Sequence, residues 1–150
     1  MTKIKIGDIF EINTPKGKAY LHYIYSDKTL GELIRVLNGL YTERPEYFDK
    51  IALNERYMLF FPLKVACNRK IVEKVKYFSA VNYNMPKYMR AKHSIRGEFL
   101  GWHIIDTATW ERQLIKDLSK EQIKLSPWGV WNDTLLIEKL VDDWSLEKWT

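Results

Sequence analysis

The chain has 150 residues, 46% of them hydrophobic and 29% charged, with only 7 Gly and 5 Pro, which suits one globular domain and excludes a disordered, collagenous or low-complexity chain. Aromatics reach 14%, including 6 Trp and 9 Tyr, a composition that favours strands, small tight cores and binding faces over long helices. The formal net charge is +5, and a lone cysteine, Cys67, excludes an intrachain disulfide framework and a cysteine-rich zinc site.

Residues 7–12 alternate apolar and polar side chains and run into the turn chemistry of Asn13, Pro15 and Gly17. Residues 18–25 are rich in β-formers and apolar on both faces, so both faces of that strand are expected to be covered. A turn at residues 26–28 and a third strand over residues 32–37, closed by Asn38 and Gly39, complete a meander of the kind that begins a small curled sheet or barrel. Residues 43–56 are polar and irregular, with one helical turn expected after Pro45. Residues 57–63 form the longest apolar run, read as a strand in which Pro62 marks an edge position or a bulge. That run is far short of the roughly 20 apolar residues a membrane-spanning helix needs.

Residues 69–78 fit strand alternation and a helical spacing of Ile71, Val75 and Phe78 about equally. Residues 82–95 mix aromatics, Met85, Met89 and bases around Pro86 with no clear period. Residues 101–106 read as a strand and residues 109–115 as its hairpin partner. Ser119 and Gln122 have the spacing of a capping box and predict a short helix. Residues 131–140 read as a turn and a last strand, and Ser145 as the cap of a final helical turn. With no internal repeat and no linker, residues 1–150 are expected to form a single domain. Its fold is expected to be mostly β with short helices: a small twisted antiparallel sheet or a partly open barrel, SH3-like at the N-terminus. The first residues carry no apolar signal core, so a cytoplasmic protein is expected.

Catalytic chemistry has no foothold in the spacing. His22, His93 and His103 stand far apart, so a metal site would have to be assembled from distant segments, and none is expected. Cys67 lies beside Arg69 and Lys70, which would favour a thiolate if exposed, yet it follows an apolar strand where a free Cys behaves as a core residue. There is no Gly-rich phosphate loop, GxSxG elbow or HExxH helix, and the adjacent Asp142 and Asp143 diverge too far to work as an acid/base dyad. The expectation is a protein without enzymatic activity and without a cofactor.

Charge is unevenly spread. Residues 64–96 hold nine bases against the single acid Glu73, a local +8 that leaves the remainder at −3, and residues 129–150 hold five acids against two lysines. Tyr77, Phe78, Tyr83 and Tyr88 lie among those bases. Such interleaving can stack nucleobases while Lys and Arg meet phosphates, and the same side chains build protein interfaces. The six tryptophans are mostly expected in packing, with one or two as exposed anchors.

Several stretches recur in a telling order. They are Ile6 to Ile12 followed by a Gly-containing hairpin and a Tyr-rich strand, then Glu32 to Leu37, then the apolar strand around Phe60, Phe61 and Pro62. They continue with Gly101, Trp102 and Asp106, then Leu118 to Gln122, and close with Asn132 to Glu138 followed by Trp144. In this order they resemble the bacterial immunity protein 26 family of polymorphic toxin systems, with residues 77–96 matching least well. The resemblance implies a mostly β protein that binds and neutralises a cognate toxin and performs no catalysis; the expectation is an antitoxin, monomeric when free, that acts by occluding the toxin's active site. It carries over packing and turn positions and no catalytic residue. Immunity proteins against nucleases are often acidic, and the basic middle departs from that, so the toxin is expected to present an acidic cleft. The divergent segment supplies the partner-binding candidates Tyr83, Lys87, Tyr88, Arg90, Lys92 and Arg96, and the tryptophan-bearing turn adds Trp128 and Trp131. The alternative is a nucleic-acid-binding small barrel that uses residues 64–96.

Overall fold

The structure, a computed structural model, describes residues 3–150. Strands β1 (Asp8–Thr14), β2 (Gly17–Asp27), β3 (Gly31–Leu37) and β4 (Glu55–Phe61) form an antiparallel meander, and β5 (Val72–Tyr77) adds on the far side of β1. The first sheet therefore runs β4-β3-β2-β1-β5, and a second sheet holds β6 (Tyr88–Ile95), β7 (Glu98–Asp106) and β8 (Arg112–Ile115) in that order. The pairings among these eight strands are antiparallel, and the sheets do not close into a barrel. The helices are short: α1 (Leu63–Asn68), α2 (Lys120–Ile123) and α3 (Asp133–Val141), with single 3-10 turns at Ile51–Leu53 and Leu146–Lys148. No helix among the described residues is long and apolar enough to cross a membrane.

Both faces of the first sheet are buried, as the apolar pattern of β2 anticipates. Because side chains alternate along a strand, Phe10, Ile12, Leu21, Ile34, Val36 and Leu59 face one way, into a core closed by α1 and α3 through Ala66, Cys67, Leu136 and Leu140. The opposite face splits in two. Ile9, Tyr20 and Leu37 pack under Phe48 and Ala52, while Ile24, Leu33 and Phe60 meet Ala80 and Met89 from the approach to the second sheet.

An extended strap over residues 126–131 splices the sheets. The Ser126 carbonyl accepts from the Arg90 amide (3.0 Å), the Trp128 amide donates to the Arg90 carbonyl (2.7 Å), and the Trp131 amide donates to the Phe60 carbonyl (2.9 Å). The Ser126 hydroxyl also accepts from the Met58 amide at 2.9 Å. Parallel bridges pair Phe60 with Val130 and Arg90 with Pro127. The edge of β4 that Pro62 announces is real, and this strap covers it. Pro62 itself lies just past β4, at the N-cap position of α1.

Several elements differ from the sequence reading. Residues 131–140 are not a strand: Asn132 Oδ1 accepts from the Leu135 amide (2.8 Å) and opens helix α3, whose Leu136 and Leu140 stand four apart and are both buried. The run Leu135, Leu136, Ile137 suits either structure locally, and the cap together with the four-residue spacing decides it. Residues 63–68 form α1 instead of extending the preceding strand. The turn expected after Pro45 comes later, at Ile51–Leu53. The ambiguous residues 69–78 resolve as β5, and the aperiodic residues 82–95 contain β6. The predicted capping box is present in full, with Ser119 Oγ accepting from the Gln122 amide and Gln122 Oε1 accepting from the Ser119 amide. Ser145 precedes the last 3-10 turn, but its side chain makes no capping bond.

Truncating α3 at its core contact is expected to cost far more than removing its cap. Leu136→Ala should lower unfolding free energy by about 2–5 kcal/mol and Asn132→Ala by about 1 kcal/mol, both read from urea midpoints. Equal effects would mean that α3 is not anchored through Leu136.

Candidate functional site

The eight partner-binding candidates separate into two groups of four. Four are internal. Arg90 is wholly buried, a correction to its expected place at an interface. Its guanidinium lies against both the Trp102 and Trp149 rings, 4.6 and 4.5 Å from their centroids, while the two rings meet edge-on at 4.9 Å. It donates to the carbonyls of Leu125, Trp149, Ile123 and Leu146 at 2.5–3.1 Å. All three nitrogens are used, so the planar fork ties the segment after α2 and the C-terminal turn to β6. Burial pulls its pKa down to about 10, and it stays charged at neutral pH.

Tyr83 is also a packing residue. Its ring covers the Arg35 guanidinium at 3.7 Å and meets His22 edge-on at 5.6 Å. Beneath it lies a buried polar cluster built by the β2–β3 register, which pairs His22 with Arg35. His22 and Arg35 are 0% and 1% exposed. Arg35 Nη1 lies 2.9 Å from His22 Nδ1, and His22 Nε2 lies 2.7 Å from the Phe78 carbonyl. A guanidinium has no acceptor, so Nδ1 accepts and Nε2 carries the hydrogen given to Phe78. Arg35 Nε donates to Glu55 at 2.7 Å. Burial, and next to it the Arg35 charge, lowers the His22 pKa and holds the ring neutral, although the Phe78 bond opposes this. One strand away, buried Glu11 accepts from Tyr20, Arg44 and Lys18. The Arg44 bonds hold its carboxyl down at about 2 against the cost of burial.

Trp128 and Trp131 belong to the splicing strap and are partly buried. Trp128 packs edge-on against Phe60 and Trp110, and Trp131 against Tyr57 and Trp144. Their rings serve the seam between the sheets.

The other four, Lys87, Tyr88, Lys92 and Arg96, are exposed on β6 and its turns. The Lys87 ammonium sits 5.3 Å from the Tyr88 ring centre, and Lys92 lies over Phe99 (5.9 Å) and Trp102 (5.6 Å). Pairing with β7 and β8 surrounds them with apolar side chains that sequence reasoning missed: Ile95, Phe99, Leu100 and Leu114, each at least 40% exposed. A signal was present in Ile95-Arg96-Gly97-Glu98-Phe99, a glycine turn between apolar residues, but nothing local says that those apolar residues stay uncovered.

The hairpin also brings His93 and His103 together, with ring centroids 4.5 Å apart, although ten positions separate them in the chain. Burial, His93 and Arg112 lower the His103 pKa. Among the described residues no group of three or more His, Cys, Asp or Glu side chains is placed to hold a metal ion. Cys67 is in α1, buried within the main core cluster. The basic segment does not form one stripe. Residues 72–77 occupy the far edge of the first sheet from the strap, β6 lies beyond the strap, and Lys74 is 3.2 Å from the buried Asp8 carboxylate. Comparison with protein-family models, curated proteins and solved structures finds no match to this chain.

The buried groups make stability depend on pH in two ranges. His22 is neutral in the fold and titrates near 6.5 when unfolded, so the unfolded chain takes up a proton that the fold refuses, and stability falls as pH drops below that value. The expected slope is at most about 1.4 kcal/mol per pH unit for that one residue. Glu11 acts lower: its stabilisation is full above its unfolded pKa of 4.5 and is lost as pH falls towards 2. Urea midpoints between pH 5 and 7 should show the first decline, which His22→Gln should reduce, His103 adding to it in the same sense because its pKa is lowered too. Arg90→Lys, with one ammonium in place of the fork, should leave buried carbonyls unpaired and cost at least about 3 kcal/mol. A change below 1 kcal/mol would remove Arg90 from its structural role.

Proposed function

We propose that this chain is a non-catalytic partner-binding protein, an immunity (antitoxin) protein that occludes a cognate toxin with its second sheet. The observation that carries the reading is where apolar surface lies. Of the fourteen large hydrophobic side chains exposed among the described residues, six (Tyr88, Ile95, Phe99, Leu100, Trp110 and Leu114) belong to β6–β8 and their connections, whereas the strands of the first sheet expose two, Tyr25 and Tyr77. Exposed apolar side chains grouped with Lys92 and Arg96 have the make-up of a protein interface, in which aromatic anchors sit beside arginine. The order of packing motifs that resembles the immunity protein 26 family supplies the class of partner, a toxin made by the same cell.

The nucleic-acid reading has less support. Its basic segment is divided between two sheets, Arg90 is internal, and three of the exposed apolar residues at the second sheet are aliphatic, which suits protein contact better than base stacking.

Affinity capture from the native cell's lysate after nuclease treatment should yield one stoichiometric protein. That protein expressed alone should arrest growth, and co-expression of this chain should restore it. Lys87→Glu, Lys92→Glu and Arg96→Glu combined should weaken the complex at least about tenfold through charge reversal at the rim. Full protection by the triple variant, or captured material that vanishes with nuclease, would overturn the reading.

A further inference from the structure

The β6–β7 hairpin is joined by a two-residue loop, Arg96 and Gly97, between the paired Ile95 and Glu98. Both loop residues have positive φ, 52° and 82°, the pattern of a type I′ turn. Such turns favour Asn-Gly, since a long side chain at positive φ is strained, and strain kept at an exposed tip points to a use for that side chain. Arg96 makes no ion pair among the described residues.

Beside the turn, the register slips between His93 and Ser94 so that Leu100 is the extra residue on β7. A bulge of this kind bends a hairpin and re-aims its side chains. Leu100 is 40% exposed, Phe99 47% and Ile95 52%. Phe99 is held in place despite that exposure, edge-on to Trp102 at 5.7 Å and beneath the Lys92 ammonium. An anchor already ordered in the free protein loses little rotamer freedom on binding. The tip therefore presents one strained, unpaired cation and one preordered aromatic ring, flanked by two aliphatic side chains, with Glu98 as its only acid.

We propose that this hairpin tip is an insertion wedge, with Arg96 and Phe99 leading into an acid-lined cleft with an apolar floor on a partner protein. The wedge rests on the partner-binding reading above and adds to it the point of entry and the chemistry of the surface it meets. Two exposed cations on the wedge, Lys92 and Arg96, are too few to track a phosphate backbone, and Ile95 and Leu100 have no use in base stacking. An acidic protein cleft satisfies both the cation and the aliphatic flanks.

The test places a photo-crosslinking residue, p-benzoylphenylalanine, at Phe99 and separately at the exposed Tyr47, in the full chain made in its native cells. Light should link position 99 to one protein, at a peptide lined by Asp or Glu. Arg96→Asn, which relaxes the turn while removing the charge, should raise the melting temperature and cut the crosslink at least tenfold. Arg96→Lys should retain most of it. Crosslinking from Tyr47 but not from position 99 would overturn the wedge and leave partner binding standing. No crosslink from either position would overturn both. Crosslinks to nucleic acid, or to a second copy of this chain, would overturn the acidic-cleft partner, as would full yield from the folded Arg96→Asn protein.

Discussion

Two sheets of unequal size lie side by side here, and each would end in an open row of amides and carbonyls where it faces the other. The strap over residues 126–131 removes that problem by bonding to β4 through Phe60 and to β6 through Arg90. Unpaired backbone groups at a buried seam cost as much as lost hydrogen bonds, so the seam dictates what surrounds it. The strap must stay extended, its tryptophans must fill both sides, and α3 can begin only after Trp131 has paired with β4. Arg90 completes the arrangement from within. The residue whose backbone joins the strap also sends its side chain to four carbonyls of the segments that precede and follow it.

The second consequence is an unusually polar interior. Asp8, Glu11, His22, Arg35 and Arg90 are all nearly inaccessible, and each finds partners. Buried charges add little stability against an apolar alternative, but breaking one costs several kcal/mol, on the order of 3–5. They therefore fix geometry more than they strengthen it. His22 shows how: its neutral tautomer is set by a guanidinium on one side and a backbone carbonyl on the other, and this locks the crossing at Phe78 over the first sheet. Among the described residues, the Tyr57 hydroxyl, buried beside Trp131 and Trp144, and His103 Nδ1 have no hydrogen-bond partner in the protein.

The third consequence concerns the surface. The central strands of the first sheet are covered on both faces, whereas the second sheet is held at one end by the strap and by Met89, which packs with Ile24, Leu33 and Phe60. Its far end extends away from that support, and the hairpin tip and the short β8 carry apolar side chains with nothing over them. Exposure of this kind is the product of an attachment at one end, and it leaves Ile95, Phe99, Leu100 and Leu114 open to solvent.

Much of the first sheet was legible from the chain alone. Alternation over residues 7–12 and 32–37, turn residues between them and two-faced apolarity in β2 each have a local cause, as do the Ser119 capping box and the 101–115 hairpin. The candidate site was legible only in part. Lys87, Tyr88, Lys92 and Arg96 are exposed as expected, while Arg90 is buried and Tyr83, Trp128 and Trp131 are partly buried in packing, because an arginine in a strand looks the same whether it meets solvent or four carbonyls. Residues 131–140 were misread for a related reason, since a short apolar run satisfies a strand and a helix equally until a neighbour presents a core. Composition, turn chemistry and alternation determined that the chain would be mostly β, for those follow from the backbone and side chain of each residue and its near neighbours. Which bases are buried, which aromatics meet solvent and which distant histidines stand together were decided by the tertiary structure alone, because burial belongs to pairs of segments and no single segment carries it.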